Sequence, residues 1–455
     1  MVDKLSFHNF KGLALCMVGI LYALGASLYH PIILAPLVFL FYFLMRRTIF
    51  YLYTLPLLSV YLIFIPFAGA NFNMSFAFLG FLGSLSLVLS FRAHLDQKIT
   101  WIFIIYLLGL SFGLLHASDV KLGMKLTFYN LLAFLIMLAG QRIASKFSVE
   151  TILKNIVLFA CPIGILNIIF LIFPNLELSF LQSSIAKLFI DPGALKILFG
   201  DGYNNILDPR KAGTFFVNTN VAAVFFGMLF WISLSLKFKS KRSYYNALIV
   251  IYFLALLSTN SRAGLGAVAF TVFILILMNI KKKKTWFRII IFSFPVFILG
   301  VIFVSSGLFN NIVDRLSLRA IEDDPRMRIW SFALSHIDPI IGLGYGGWEK
   351  ISYQMGPELG TFPPHNHFLL VWSWSGILGV MALATLLFGI LYMSIRRYTR
   401  TKNPIYISII GCYTTVLFQG MFDNYFLHNY NIAVLLFMIT GLILYIKPSA
   451  DNEKN

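Results

Sequence analysis

Two histidines are the first side chains whose chemistry stands out from a mostly apolar sequence. His365 and His367 flank Asn366 in the segment PPHNHFLLVWSWSG, where the chain enters an apolar run. A histidine titrates near neutral pH, so it can act as a general base or hold a phosphate; the alternative is a hydrogen-bonded interfacial residue. The i, i+2 spacing is poor for two ligands of one metal ion. We therefore assign no metal and no cofactor to these residues.

Four arginines, Arg210, Arg262, Arg326 and Arg328, are candidates for binding phosphate, because a guanidinium group grips phosphate through two parallel hydrogen bonds. Arg262 lies in STNSRAGLG, between two apolar runs with almost no loop. An arginine is costly there unless it pairs or lines a wet cavity. The alternatives are snorkelling or a membrane-edge anchor for Arg262 and Arg210, and a solvated helix face for Arg326 and Arg328.

The acidic run 322–324 precedes two of these arginines. It could bind a divalent cation together with substrate phosphates. We favour the simpler interpretation, in which Asp324 caps a helix that begins at Pro325. The apolar residues expected on one face of that helix are Met327, Trp330, Leu334 and Ile337.

The composition determines which elements must position these residues. Hydrophobic residues make up 59% of the chain and charged residues 12%, whereas a soluble domain carries about 25% charge. Many apolar runs reach the ~20 residues that a helix needs to cross a bilayer. The fold class is therefore an all-α, polytopic transmembrane helical bundle, with about 12–14 spans, in a single integral membrane domain over 1–455. The predicted spans are 13–29, 31–45, 49–67, 74–91, 100–116, 124–140, 151–173, 214–236, 244–260, 263–280, 286–306, 365–395, 405–422 and 431–446.

The distribution of basic residues predicts the orientation. With a cytoplasmic N-terminus, the cytoplasmic segments hold 24 of the 36 basic residues but only 5 of the 18 acidic ones. This asymmetry follows the positive-inside rule and predicts that both termini are cytoplasmic. The net charge of +18 is therefore mostly a topology signal, and it does not indicate nucleic-acid binding.

Two segments on the predicted outer side, 174–213 and 307–364, are much longer than the other connections, and loops of this length are often functional. We expect both extracytoplasmic loops to be partly helical. The first has apolar residues at helical spacing, which predicts a short helix on the membrane surface. These residues are Phe180, Leu181, Ile185, Leu188 and Phe189.

Several short motifs, in a fixed order, resemble a known family. They are RKAGTFFVNTN, then NSRAG at the start of a span, then PRMRIWSFAL, PIIGLGYGGW and PHNHFLLVWSWSGILG in and after the long outer loop. In this order and placement, the motifs resemble the O-antigen ligase and polymerase superfamily, which includes WaaL-type ligases and Wzy-type polymerases. The resemblance is strongest over about 205–390.

The resemblance implies a metal-independent glycosyltransferase of the GT-C type in the bacterial inner membrane, with its active site facing the periplasm. Its donor would be a glycan on undecaprenyl pyrophosphate, and its acceptor a glycan or a lipid-linked acceptor. In the implied catalytic set, Arg210 and Arg262 hold the pyrophosphate, and His365 acts on the acceptor hydroxyl or the leaving group. Whether the family histidine corresponds to His365 or His367 is left open, and we favour His365. The predicted substrate-binding residues are Arg326, Arg328, Asn366 and His367.

The expected partners are the lipid-linked donor, the acceptor, membrane lipids and a chain-length regulator protein. A polymerase is favoured over a ligase because the number of spans fits that branch better. The rival from another class is a flippase for lipid-linked oligosaccharides. A transporter of that kind should show internal repeats and charges at mid-membrane. The sequence shows neither, and its charged residues lie at the ends of spans.

The orientation can be tested by labelling single cysteines from outside the cell. We expect a cysteine at Ser317, in the long outer loop, to react, and one at Ser240, in a lysine-rich connection, to stay silent. A reactive Ser240 position with a silent Ser317 position would invert the topology.

Overall fold

The structure is a computed structural model. It describes residues 52–53, 55–67, 70–73, 79–80, 96–199, 209–278, 325–356, 359–360, 362–424 and 430–445. The predicted spans 13–29, 31–45 and 286–306 lie outside these residues, as do nearly all of the span 74–91 and the acidic run 322–324.

Helices make up most of the described chain. In chain order they are α1 (Leu55–Val60), α2 (Gln97–Ser111), α3 (Val120–Ala144), α4 (Val149–Ile172), α5 (Pro174–Gln182), α6 (Ala186–Phe189), α7 (Pro192–Leu198), α8 (Thr219–Ser240), α9 (Tyr244–Ser258), α10 (Arg262–Met278), α11 (Pro325–His336), α12 (Gly347–Ile351), α13 (His367–Thr401), α14 (Tyr406–Gly420) and α15 (Tyr430–Leu444).

Five stretches within the described residues are long and apolar enough to cross a membrane, by length and composition. They are Gln97–Leu114, Val120–Ala144, Val149–Ile172, Thr219–Ser240 and His367–Thr401. Shorter apolar helices follow at Tyr244–Ser258, Arg262–Met278 and Ile432–Leu444. The all-α, polytopic membrane bundle is confirmed. The predicted spans between 100 and 280 and between 365 and 446 each contain a helix.

The predicted span 49–67 is wrong in its second half. Helix α1 ends at Val60, and two short antiparallel strands follow, β1 (Phe64–Phe67) and β2 (Ala70–Asn73). Pro66 has no backbone N–H and disrupts a helix interior, while aromatic and β-branched residues suit a strand. Hydropathy alone does not distinguish this apolar hairpin from the end of a membrane helix.

Helix α8 forms the centre of the described bundle. Its side chains from Val221 to Leu236 are buried with the exception of Leu234, and it packs against α9 and α14, with further contacts to α4, α10 and α15. The Asn218 side chain caps its first turn by accepting from the backbone N–H of Asn220 at 2.8 Å. The beginning of α8 is therefore fixed by the surrounding helices as well as by its own cap.

The short connections make successive helices run in opposite directions, which gives the bundle two distinct ends. We call one the loop end; it contains the connections 112–119, 209–218, 259–261 and 362–366. We call the other the lysine end; it contains 145–148, 241–243 and 402–405. There, Arg397 pairs with Asp96 at 2.7 Å and also donates to the carbonyl oxygen of Leu444.

The first long loop contains three helices, α5 to α7, where the sequence predicts one. Its predicted apolar residues only partly face inward: Leu181 is buried, whereas Ile185 is exposed. Aromatic side chains attach this loop to the bundle. Phe215 lies 5.2 Å from Phe180 and 5.3 Å from Phe189 between ring centroids, and Tyr61 contacts both Phe189 and Phe215.

Helix α11 covers the predicted helical segment from Pro325 to His336, whereas the proposed cap Asp324 lies outside the described residues; the predicted apolar face is partly wrong. Ile329, Ala333 and Ile337 are buried, whereas Met327 and Leu334 are exposed. The buried stripe is rotated because α11 packs against a tryptophan core formed with Trp348 and Leu359. The stripe therefore follows tertiary contacts that lie outside the helix's own sequence.

The glycine-rich segment 340–347, which follows α11, packs between the connection 112–119 and helix α13. The backbone oxygen of Tyr345 accepts hydrogen bonds from the N–H groups of Ser118 and Asp119, at 2.8 and 2.9 Å. Gly344 has a φ of +75° and packs against the backbone of His116, where a side chain would not fit. These contacts show that the segment uses its glycines to pass close to neighbouring backbone.

The same segment explains a kink in α13. Gly376 has φ 58° and ψ −153°, and a Cβ there would collide with the carbonyl oxygen of Ile340. The N–H of Ile377 donates to that oxygen at 3.2 Å. The first nine residues of α13, which follow His365, therefore take their direction from this kink.

We expect Gly376→Ala to destabilise the protein by about 2 kcal/mol or more, because it adds a positive-φ penalty to a backbone collision. The measurement is thermal unfolding of purified protein in lipid nanodiscs. Gly389→Ala in the same helix is the matched control, since its Cβ would meet only the end of the Ile102 side chain, at 3.2 Å. Equal melting temperatures for the two variants would contradict the assigned kink.

Candidate functional site

His365 lies at the loop end and pairs with an aspartate that is distant in sequence. Its Nδ1 is 3.3 Å from Oδ1 of Asp423, which follows the end of α14. The His365 side chain is 18% exposed and the Asp423 side chain 3%. An imidazole whose Nδ1–H donates to a carboxylate keeps Nε2 as its basic nitrogen. A buried carboxylate thus orients a partly exposed histidine.

Asp423 is in turn held by the beginning of α8. Asn220 Nδ2 donates to Asp423 Oδ2 at 3.0 Å, and the backbone N–H of Asn424 donates to Oδ1 at 2.9 Å. The Asn220 backbone oxygen accepts from Gln419 Nε2 at 2.6 Å. The carboxylate therefore has a hydrogen bond on each oxygen besides the contact with His365, which limits its rotation.

Asn220 also connects this pair to the turn that carries Arg262. Its Oδ1 accepts a hydrogen bond from Ser261 Oγ at 2.9 Å, and Ser261 immediately precedes Arg262, the first residue of α10. Arg262 itself is partly exposed. The predicted catalytic residues His365 and Arg262 therefore lie at the same end of the bundle, joined through Asp423, Asn220 and Ser261.

Arg210 is tied to the same turn through its backbone. Asn260 Nδ2 donates to the carbonyl oxygen of Arg210 at 3.4 Å, and the N–H of Ala212 donates to the carbonyl oxygen of Ser258 at 3.0 Å. The Arg210 side chain is exposed. The structure thus holds the backbone at Arg210 against the turn that immediately precedes Arg262.

Strained backbone is concentrated here. Among the described residues other than glycine, positive φ occurs at Thr214 (48°), Val217 (59°), Asn260 (51°) and His365 (50°), all at the loop end. The remaining two, Lys241 and Lys402, are ordinary helix C-caps. Conformations of this kind each cost on the order of 1–3 kcal/mol and persist where the surrounding contacts enforce them.

The structure distinguishes the two arginines of α11. Trp330 Nε1 donates to the carbonyl oxygen of Pro364 at 2.8 Å, and its ring lies 6.3 Å from that of Phe422. Arg326 lies one turn before Trp330, on the same face, and is partly buried, whereas Arg328 is exposed on another face. Arg326 is therefore on the side of the helix that approaches the His365 site.

Asn366 and His367 have structural contacts. The Asn366 side chain caps α13 by accepting from the N–H groups of Phe368 and Leu369, and its Nδ2 donates to the carbonyl oxygen of Met421 at 2.9 Å. His367 is 3% exposed and packs so closely on Gly420 that a Cβ at that glycine would collide with the ring. Their predicted roles in substrate binding stay predictions.

Asp423, Asn220 and Glu177 are the site residues that the sequence analysis missed. Glu177 of α5 is 5% exposed and accepts hydrogen bonds from the backbone N–H groups of Gly213 and Thr214 at 2.8 and 2.9 Å. Burial raises the pKa of Glu177, and the two backbone hydrogen bonds oppose that rise. Glu177 and Asp423 could have been proposed from the sequence, because each is a polar residue at the edge of an apolar run, on the same predicted side of the membrane as His365.

No group of three histidine, cysteine, aspartate or glutamate side chains that could hold a metal ion is present in the part of the chain that the structure describes. The acidic run 322–324 lies outside that part. Metal independence therefore stays a prediction.

Together, these features define a polytopic helical membrane protein with a histidine–carboxylate pair and several arginines at one end of its bundle. Residues 247–384 match a family model described as O-antigen ligase. The match confirms, over this segment, the predicted resemblance to the O-antigen ligase and polymerase superfamily. It includes Arg262 and His365, whereas Arg210, Asn220 and Asp423 lie outside it. No curated protein matches the chain significantly.

We expect Asp423→Asn to lower glycan transfer by roughly 10²-fold or more, because the amide NH₂ group must face donors, either Asn220 or the pair formed by His365 and the Asn424 N–H. Activity of membranes with matched protein levels is the measurement. Asp119→Asn is the control at the same end, since Asp119 is an exposed helix cap, where asparagine caps as well. Full activity of Asp423→Asn would show that the carboxylate does not orient His365.

Proposed function

We propose that this protein is a membrane glycosyltransferase of the GT-C type that takes a glycan from undecaprenyl pyrophosphate and joins it to a hydroxyl group of a second substrate. The observation that carries the proposal is the His365–Asp423 pair, at the same end of the bundle as Arg210, Arg262 and Arg326. This arrangement supplies a base for the acceptor and cations for the donor at one place. The O-antigen ligase match over 247–384 supports the same reaction class.

In the proposed reaction, the acceptor hydroxyl oxygen attacks the anomeric carbon of the donor glycan. The bond between that carbon and the pyrophosphate oxygen breaks, and undecaprenyl pyrophosphate leaves with the bonding electrons. The hydroxyl proton passes to Nε2 of His365, and Asp423 stabilises the resulting imidazolium. The guanidinium groups of Arg262 and Arg210 stabilise the negative charge that develops on the leaving group.

The acceptor distinguishes two versions of this function. We favour a polymerase, in which the acceptor is another lipid-linked glycan, because about 12–14 predicted spans fit that branch better. A chain-length regulator protein would then be a partner. The alternative is a ligase that attaches the glycan to a lipid A–core acceptor.

The proposed orientation places the site on the periplasmic side of the bacterial inner membrane and both termini in the cytoplasm. The position of the basic residues supports it. Lys146, Lys241, Arg242 and Lys402 belong to the connections of the lysine end, opposite the His365 site. Such a site would accept the polyprenyl tail from the bilayer and the sugars from the aqueous side.

A flippase for lipid-linked oligosaccharides is the rival function from another class. Transporters place their charged binding groups near mid-membrane, between repeats. In the described residues, Arg262 and His365 lie at helix ends, and Arg210 lies in the segment that precedes α8. This position favours chemistry at the membrane surface over passage through the bundle.

Purified protein in vesicles, given undecaprenyl-pyrophosphate glycan, should form glycosidic bonds in the presence of EDTA. A polymerase elongates the donor alone, and a ligase requires added lipid A–core. We expect His365→Ala to abolish turnover but keep most donor affinity, because the arginines supply that affinity. His367→Ala should act more mildly, through stability.

Two results would contradict the proposal. Movement of donor across the bilayer without any glycosidic bond would indicate the flippase. Loss of the reaction in EDTA would contradict metal independence and make the acidic run 322–324 a candidate metal site again.

Arg262→Lys tests separately whether the Arg262 guanidinium group binds the pyrophosphate. If both guanidinium hydrogen bonds are used, lysine should lose about 2–4 kcal/mol of transition-state stabilisation despite its charge. Full polymer synthesis by Arg262→Lys would indicate a simple membrane anchor.

A further inference from the structure

Glu177 is a buried acid with no part in the proposed reaction. It lies in α5 of the first long outer loop, more than 30 residues before the segment that it contacts, and only 5% of it is exposed. A buried carboxyl group is costly unless hydrogen bonds compensate it. Its position therefore indicates a specific task in the loop.

The hydrogen bonds of Glu177 show which part of the chain it holds. One oxygen, Oε1, accepts from two successive backbone N–H groups, those of Gly213 and Thr214. The positive φ of Thr214, 48°, belongs to the tight turn in which these two groups converge. Successive N–H groups that converge in this way form a concave anion site, and here the occupant is the protein's own carboxyl group.

The segment 210–214 is held from its other side by the turn between α9 and α10. Ser258 accepts from Ala212, and Asn260 donates to Arg210, both through the backbone of the segment. Next to it, Phe215 packs between Phe180 and Phe189 of the outer loop. The segment is therefore clamped between the outer loop and the turn that carries Arg262.

We propose that Glu177 is a positioning residue of the donor site, which holds the backbone of the segment 210–214 so that Arg210 is presented beside Arg262. The inference rests on the proposed function, because it assigns Arg210 to the pyrophosphate. It gives the first outer loop a role in donor binding. Because Glu177 occupies the Gly213 and Thr214 N–H groups, the pyrophosphate must be bound there by side chains.

The test uses two variants. Glu177→Leu replaces the carboxyl group with an apolar side chain of similar size and so removes the acceptor, whereas Glu177→Gln keeps an acceptor oxygen. Two quantities are measured in the full-length protein in nanodiscs: binding of undecaprenyl pyrophosphate, and kcat and KM for the glycan donor. We expect Glu177→Leu to weaken binding and to raise KM about tenfold, with a smaller change in kcat. Glu177→Gln should lie closer to the wild type.

Asn260→Gly provides a second route to the same segment, in case Glu177→Leu fails to fold. Glycine tolerates the positive φ of Asn260 and removes only the amide that donates to Arg210. It should also raise the donor KM. Leu387→Ala is the control for stability: it opens a cavity in the bundle core, in the half of α13 that lies towards the lysine end, so it should lower the melting temperature and leave KM unchanged.

The outcomes separate this inference from the proposed function. If wild-type protein transfers glycan and the folded Glu177→Leu and Asn260→Gly variants keep the wild-type donor KM, the inference alone is wrong. A loss in Glu177→Gln as large as in Glu177→Leu would also overturn it. If wild-type protein binds undecaprenyl pyrophosphate without transferring glycan, and the variants lose that binding, the positioning role stands and the transferase proposal fails. Absence of both binding and transfer in the wild type would reject both.

Discussion

The hydrogen bond from Asn220 to Asp423 is the contact on which the site depends. It joins the first turn of the central helix α8 to the residue that orients His365, and the same asparagine accepts from Ser261 beside Arg262. Three helix ends therefore share one side chain. Since α8 is packed on nearly every face, its first turn gives the site a fixed reference. Such rigidity suits the catalytic role proposed for His365, because small displacements of reacting atoms reduce rates strongly.

The outer loop and the bundle hold the remaining part of the site from two directions. Glu177 and the aromatic rings around Phe215 contact one side of the segment that carries Arg210, and the turn at Asn260 contacts its other side. The cost appears in the backbone, since Thr214, Val217 and Asn260 all adopt positive φ in these turns. Packed neighbours on both sides can maintain such conformations where an isolated loop would relax.

The sequence predicts the bundle well because membrane helices are encoded locally, by apolar runs of sufficient length. It also makes His365 and Arg262 candidates, since a polar residue at the edge of a span needs a specific reason to be there. It does not reveal that Asp423 pairs with His365, because the two are separated by the whole α13–α14 hairpin and only the packed structure joins them. The prediction of a membrane helix that extends over strand β1 is wrong for a related reason: the apolar composition of this strand matches that of a membrane helix, and only Pro66 indicates the difference.

The backbone at the loop end limits how an anionic substrate can be bound. Helices α8, α10 and α13 all begin there, so their first turns carry backbone N–H groups without partners inside the helix. Their first turns, however, already donate to the chain's own side chains: those of Asn218, Ser261 and Asn366. Glu177 occupies the neighbouring N–H groups of Gly213 and Thr214 in the same way. These first turns thus leave few backbone donors for a ligand, so in the proposed reaction the direct bonds to a pyrophosphate fall to guanidinium groups.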